Sequence, residues 1–146
     1  GMVVHSMQAD DLTRVLTDPA CWIGTDGVAG DPGSRPHPRL TGTFPRVFRE
    51  FVRERGLFTW EQAVHRMTGG PAAYFHVPAR GLIREGFVAD LVLFDPDRVG
   101  DGSTFEEPWT PPHGIRAVYM AGQQVVEGSR YLGINQGRRL APASLT

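Results

Sequence analysis

Cys21-Trp22-Ile23-Gly24-Thr25-Asp26-Gly27, followed by His37-Pro38-Arg39 and Gly42-Thr43-Phe44-Pro45-Arg46, is the stretch that decides how this chain reads. A short apolar run that ends in Thr-Asp-Gly and opens into a loop reads as a buried strand, Cys21 to Thr25, delivering one carboxylate into a site. An α/β barrel presents a catalytic group at the carboxyl end of a strand in this way. The loop then supplies Arg39, and a guanidinium is the side chain best suited to a two-pronged grip on a carboxylate. Pro38 stiffens the loop and so fixes the direction of Arg39. Asp26-Gly27 taken alone is also an ordinary turn signal.

Working outward, Leu12, Val15 and Leu16 share one face of a short helix that Asp18-Pro19 ends. Residues 27 to 43 hold several Gly and Pro and read as a long loop, functional or disordered. Thr43 is placed to cap a helix carrying Phe44, Val47, Phe48, Phe51 and Val52 at helical spacing, with Gly56 just past its end. Thr59-Trp60-Glu61-Gln62 is a capping box, and Trp60, Ala63, Val64 and Met67 continue an apolar face up to Gly69-Gly70-Pro71. Beyond residue 80 the period changes to that of strands. Ala89 to Phe94 is one run, and Ile115 to Met120 is joined through Ala121-Gly122 to Gln123 to Val126. With Ala at 121, Gly122 alone is expected to supply the positive φ of that turn. Residues 96 to 114 read as a polar loop rich in Pro and Gly, and Asp90 as a strand-start residue bonding local backbone amides. The expected class is α/β to α+β.

Length and composition narrow the function. A chain of 146 residues with 40% hydrophobic residues can hold one modest core, and it contains no apolar run of the length a membrane span needs. A net charge of −1, from 15 basic and 16 acidic residues, gives no case for nucleic acid or an anionic membrane as partner. Every basic residue is Arg, scattered along the chain, which fits a G+C-rich coding sequence better than a phosphate-binding surface. One Cys excludes an intrachain disulfide, and no signal sequence is visible, so a cytoplasmic protein is expected. Gly1 ahead of Met2 reads as a residue left by tag removal, which makes Met2 the expected start and the short length that of a natural reading frame.

Asp26, His37-Pro38-Arg39, Gly42 to Arg46, Met67-Thr68 and Gly86 to Asp95-Pro96, taken in order, resemble the C-terminal portion of the N-acyl-D-amino-acid deacylases. These D-aminoacylases belong to the metal-dependent amidohydrolase superfamily, and the likeness runs from about Met7 to Leu140. It implies the last βα portion of a TIM-type barrel over residues 1–80, including the strand at 21–25, and the C-terminal strands of an accessory β-sandwich over 81–146. Arg80 to Ile83 and Gly86 to Asp95 would be the exit from the barrel into that sandwich.

The resemblance also implies site roles. Asp26 would contact the catalytic zinc, provided other ligands complete the site, and would accept a proton from the attacking water. Arg39 would bind the substrate α-carboxylate, with solvent or Asp31 as its ordinary alternative partner. His37 goes with Arg39 on the substrate side, supporting rather than ligating metal. The family's other ligands, an upstream His-x-His pair, a Cys and two further His, have no counterpart here, so no zinc is expected on the isolated chain. His65 is expected in solvent, His5, His76 and His113 share no metal-like spacing, and Cys21 reads as a small core residue.

Two functions follow. One is hydrolysis of N-acyl-D-amino acids to a carboxylate and a D-amino acid, which needs the missing ligands. The other is a non-catalytic assembly or binding module, or the C-terminal half of a split enzyme, and for the isolated chain this second reading is preferred. Uncovered helix faces and sheet edges predict a homodimer or a separate N-terminal barrel chain as partner.

Overall fold

The computed structural model describes residues 8–28, 31 and 33–140; His5 and the close of the C-terminus lie outside them. Helix α1 (Ala9–Thr17) turns Leu12 and Leu16 inward and stops at Asp18, whose extended backbone is what a following Pro imposes. Val15, expected on the same face, is exposed.

Helix α2 (Arg39–Arg46) begins four residues before the expected cap at Thr43. Thr43 is no cap: its Oγ1 donates back to the Arg39 carbonyl at 2.8 Å, the mid-helix habit of a threonine. Pro45 lies inside this helix and withdraws one donor, and directly after it the helix widens into a π-helical run, Val47–Glu54. The wide turn carries on to Arg55 N–H, which donates to the Glu50 carbonyl five residues back, and Gly56 at φ 60° ends it as expected.

Helix α3 (Trp60–Met67) opens on the predicted capping box, with Gln62 N–H on Thr59 Oγ1 at 3.2 Å and Thr59 N–H on Gln62 Oε1 at 2.9 Å. Gly69-Gly70-Pro71, expected to end the helical region, instead starts the short α4 (Gly69–Tyr74). Pro is tolerated there because first-turn amides have no helical partner. Gly70 is needed for another reason: the Trp22 ring lies where its Cβ would be.

Val47, Phe51, Val52, Phe58 and Ala63 form the core of this helical half, with Leu12, Leu16, Ile23, Trp60 and Met67 packed against it. The segment 21–25, expected as a barrel strand, has no partner strand among the described residues. Its ties run to α3 instead: Ile23 N–H donates to the Arg66 carbonyl, and Arg66 Nη1 donates to the Cys21 and Asp18 carbonyls at 2.9 and 2.7 Å. A parallel strand needs flanking strands to define it, and among the described residues no strand lies beside it.

The second half is one antiparallel sheet in the order β1 (Leu91–Phe94), β2 (Ile115–Met120), β3 (Gln123–Glu127), β4 (Arg130–Tyr131). β1 is two residues shorter than the predicted run, and β4 was not anticipated. Met120 pairs with Gln123 across the expected two-residue turn. Both turn residues take positive φ, 49° at Ala121 and 82° at Gly122, so Gly122 does not supply the left-handed backbone alone. Phe94 joins the halves by stacking on Phe48 at 4.8 Å and meeting Trp60 at 5.8 Å between ring centres.

Alongside this contact runs an open apolar groove of about 920 Å³, walled by Phe44, Val64, Leu82, Val92 and Val118. Ile83 at its rim is 92% exposed. Among the described residues no helix is long and apolar enough to cross a membrane.

Candidate functional site

Asp26 closes the segment from Cys21 in a left-handed backbone conformation, φ 47°, which an aspartate tolerates better than most residues and which aims its side chain out of the turn. Thr25 Oγ1 accepts the Gly27 N–H at 3.2 Å, and Gly27 has no room for a side chain larger than hydrogen without pushing Leu40, which would lie 3.0 Å away.

Across the loop, Arg39 is the first residue of α2. Its N–H donates to His37 Nδ1 at 3.1 Å, so His37 caps the helix start while its ring meets Phe105 edge-on at 5.0 Å. Arg39 Nη2 reaches Asp26 Oδ2 at 3.0 Å. The chain therefore brings together the two residues singled out in the sequence, with His37 setting the backbone of one of them. Arg39 pairs with Asp26 rather than Asp31. Both partners stand in solvent, with side chains 42% and 82% exposed, so the pair is weak and opens readily. A small cavity of about 250 Å³ lies beside it, floored by Leu12, Leu16 and Phe51 and rimmed by Arg39 and Arg46.

A metal finds no ready seat here. Zinc sites use three or four protein ligands, and among the described residues no three His, Cys, Asp or Glu side chains converge. Asp26 faces a guanidinium, which competes for the same oxygen. The described residues alone do not fit a zinc centre.

The other candidates separate. His65 is exposed, as read from sequence, with its ring edge-on to Trp22 at 5.8 Å. His76 and His113 are also exposed, and Cys21 is half-buried with its thiol free. Asp90 is structural, but its partners are not local. Its Oδ1 accepts the N–H of Ala121, 31 residues on, at 2.8 Å, and Oδ2 accepts Arg80 Nε at 2.9 Å. The Ala121 amide, helped by Arg80, holds the Asp90 carboxyl below its ordinary value. Sequence reading passed over Arg66, which ties the segment before Asp26 to α3. An arginine in the last turn of a helix carries no mark of a partner so far away in sequence.

The sequence and fold belong to a known class. The profile of the amidohydrolase family matches residues 8–126, and the chain belongs to that family. An N-acyl-D-aspartate deacylase of Alcaligenes xylosoxydans xylosoxydans is 44% identical over 142 residues, 97% of this chain and 28% of that protein. A solved D-aminoacylase, described for the functional role of its binuclear metal centre, superimposes with a TM-score of 0.86 at 45% identity over 92% of this chain and 28% of its own. The N-acyl-D-glutamate deacylase of Bordetella bronchiseptica, solved with zinc and a phosphonate mimic of the tetrahedral intermediate, gives 0.77 at 42% identity over 86% of this chain and 27% of its own. This chain spans a little over a quarter of the length of these relatives.

Proposed function

We propose that this chain is the C-terminal segment of an N-acyl-D-amino-acid deacylase, derived from the last barrel strand and helices over residues 1–80 and the accessory sandwich strands over 81–146. The Asp26–Arg39 pair, 3.0 Å long in a chain of amidohydrolase sequence, carries this reading. The substrate has a carboxylate at one end and an amide at the other. Arg39 grips the carboxylate in two-point fashion, and the incoming carboxylate takes the place of Asp26 on the guanidinium. Because that pair is solvent-exposed, the exchange costs little.

Released, Asp26 accepts a proton as water adds to the amide carbonyl and returns it to the departing amine. The C–N bond breaks, giving a carboxylate and a D-amino acid. In the relatives metal accompanies this chemistry. The described residues here do not make such a site, so its ligands have to come from elsewhere, and the isolated chain is proposed to be inactive. The groove beside Phe94 is where covering polypeptide belongs, either an N-terminal barrel chain or a second copy of this one.

The test is an amide-hydrolysis assay on N-acetyl-D-amino acids with the chain alone, expected to match the uncatalysed background. Titration of the same compounds by NMR should move the Arg39 Nε–H resonance, and the accompanying shift of the Leu40 backbone N–H should be lost in Arg39→Ala. Turnover by the chain alone that disappears in Asp26→Asn would overturn the inactive reading. An Arg39 resonance indifferent to every N-acyl-D-amino acid would remove its proposed role.

A further inference from the structure

The connection between β1 and β2 reaches back onto the loop that carries the site. Ser103 Oγ donates to the Pro38 carbonyl at 3.0 Å, and Trp109 Nε1 donates to the Ser34 carbonyl at 3.0 Å. In the other direction, Thr41 Oγ1 of α2 donates to the Pro108 carbonyl at 3.1 Å. These three bonds join residues 65, 75 and 67 positions apart. Phe105 adds the edge-on ring contact with His37. At the near end of the connection, Asp101 is fixed to the wide helix by Arg49 Nε at 2.7 Å, while Arg49 also holds Glu54.

The site loop needs such help. Pro36 and Pro38 have no N–H, so the segment has few donors with which to tie itself down. Ser103 adds a bond from the β1–β2 connection to the Pro38 carbonyl, which Gly42 N–H also meets at 2.9 Å, and Trp109 ties down the Ser34 carbonyl. The approach is close: Gly42 is buried, and a Cβ there would collide with Ser103 Oγ.

We infer that residues 101–109 are a positioning strap, which by holding the Ser34 and Pro38 carbonyls sets the directions of His37 and Arg39 and so the aim of the carboxylate grip. The inference rests on the reading of Arg39 as a substrate-carboxylate ligand. It makes the sheet half of the chain a working part of a site whose reactive side chains all lie in the helical half. Ser103, Trp109 and Gly42 are positioning residues and touch no substrate.

The experiment uses the full chain and two independent readouts. Backbone ¹⁵N relaxation over residues 34–41 reports whether the loop is held, and titration with N-acetyl-D-leucine followed at the Arg39 Nε–H reports the grip. In Ser103→Ala/Trp109→Phe the order of 34–41 should fall while that of 47–63 is unchanged. The probe should bind at least about threefold more weakly, the net worth of a hydrogen bond. Ser103→Ala alone should show part of the loss, and Ser103→Thr, which keeps the hydroxyl, should behave as the unaltered chain. Gly42→Ala should loosen the same loop from the opposite side. Unchanged order at 34–41 in the double variant overturns the strap, as does weaker binding without any change of order. If the unaltered chain does not bind the probe, the deacylase reading of Arg39 fails, and the relaxation data still decide whether the strap holds the loop.

Discussion

The helical half and the sheet handle apolar surface differently. In the helical half, Val47, Phe51, Val52, Phe58 and Ala63 are each at most 8% exposed and close on one another. In the sheet strands, the described residues bury only Ala117 and Val125, while Leu91, Val92 and Leu93 of the edge strand expose 37%, 54% and 53%. Consecutive strand residues point to opposite faces, so β1 shows apolar side chains on both. One half has a core of its own; the other has half of one and an open edge. The groove between them is open and lined mostly by apolar side chains.

The largest expected effect tests that contrast directly. Phe51→Ala empties the middle of the helical core and should cost about 3–5 kcal/mol in urea unfolding. Val92→Ala, on the open strand, should stay within about 0.5 kcal/mol. If Val92→Ala costs more than about 1.5 kcal/mol, and the loss shrinks on dilution, β1 is covered by a second copy in solution and the contrast breaks.

A smaller effect belongs to the joint. Arg49 links Glu54 of the wide helix to Asp101 of the strap, and the Asp101 bond, the leading influence, strengthens the hold of Arg49 on its proton. Because Asp101 is 13% exposed, solvent screens this pair less than the Asp26–Arg39 pair. Asp101→Ala should cost about 1–2 kcal/mol, discounted for the 30% exposure of Arg49. The loss should persist in about 1 M salt. Complete loss of the effect at high salt would show the joint to be ordinary surface pairing.

These numbers bear on what could be read in advance. The capping box at Thr59, the end of α1 at Asp18-Pro19 and the strands near 91–94 and 115–127 were legible because each is set by residues a few positions apart. The start of α2 was not. Thr43 carries a cap signal, but the His37 Nδ1 bond to Arg39 and the Thr41 tie to Pro108 begin the helix earlier. At the site, Asp26, His37 and Arg39 were visible through the family resemblance, but their pairing and exposure were not. Cys21 to Thr25 pairs with no strand among the described residues, because strand character lies in neighbours and here the neighbour is Arg66. Ser103 and Trp109 gave no signal, since a residue that serves a distant carbonyl looks like any polar loop residue.

Acid separates the halves by less. Asp90 and Asp95 are both held below their ordinary value of 3.8, Asp90 chiefly by the Ala121 amide and Asp95 chiefly by Arg116. A depressed carboxyl contributes stability that is fully present above its unfolded value and is lost as pH falls through the lower folded value. Both residues border β1, so between about pH 5 and pH 2 the protection of amides in 89–94 and 115–127, relative to their intrinsic exchange at each pH, should fall before that of 47–63 does. For Asp90, 39% exposed, the contribution should be under about 1 kcal/mol after solvent screening. Asp90→Asn should flatten the acid limb of the sheet. An unchanged limb would assign it to other groups.

The smallest effect concerns the turn from β2 to β3. Ala121 sits at φ 49°, where its Cβ crowds the following carbonyl, and Gly122 follows at 82°. Two positive φ values in a two-residue hairpin loop favour Asn-Gly, because Asn tolerates the left-handed region and Gly is indifferent to it. The Ala121 N–H that holds Asp90 is a backbone group, so substitution by Asn leaves that bond intact. Ala121→Asn should therefore raise stability by about 0.5 kcal/mol, part of the usual penalty for a non-glycine residue in that region. The gain should appear as slower amide exchange in 115–127 with 47–63 unaffected, since the turn shares no core with the helices. If the helical amides slow equally, the sheet and the helices unfold as one cooperative unit, and the contrast between them is one of surface rather than of stability.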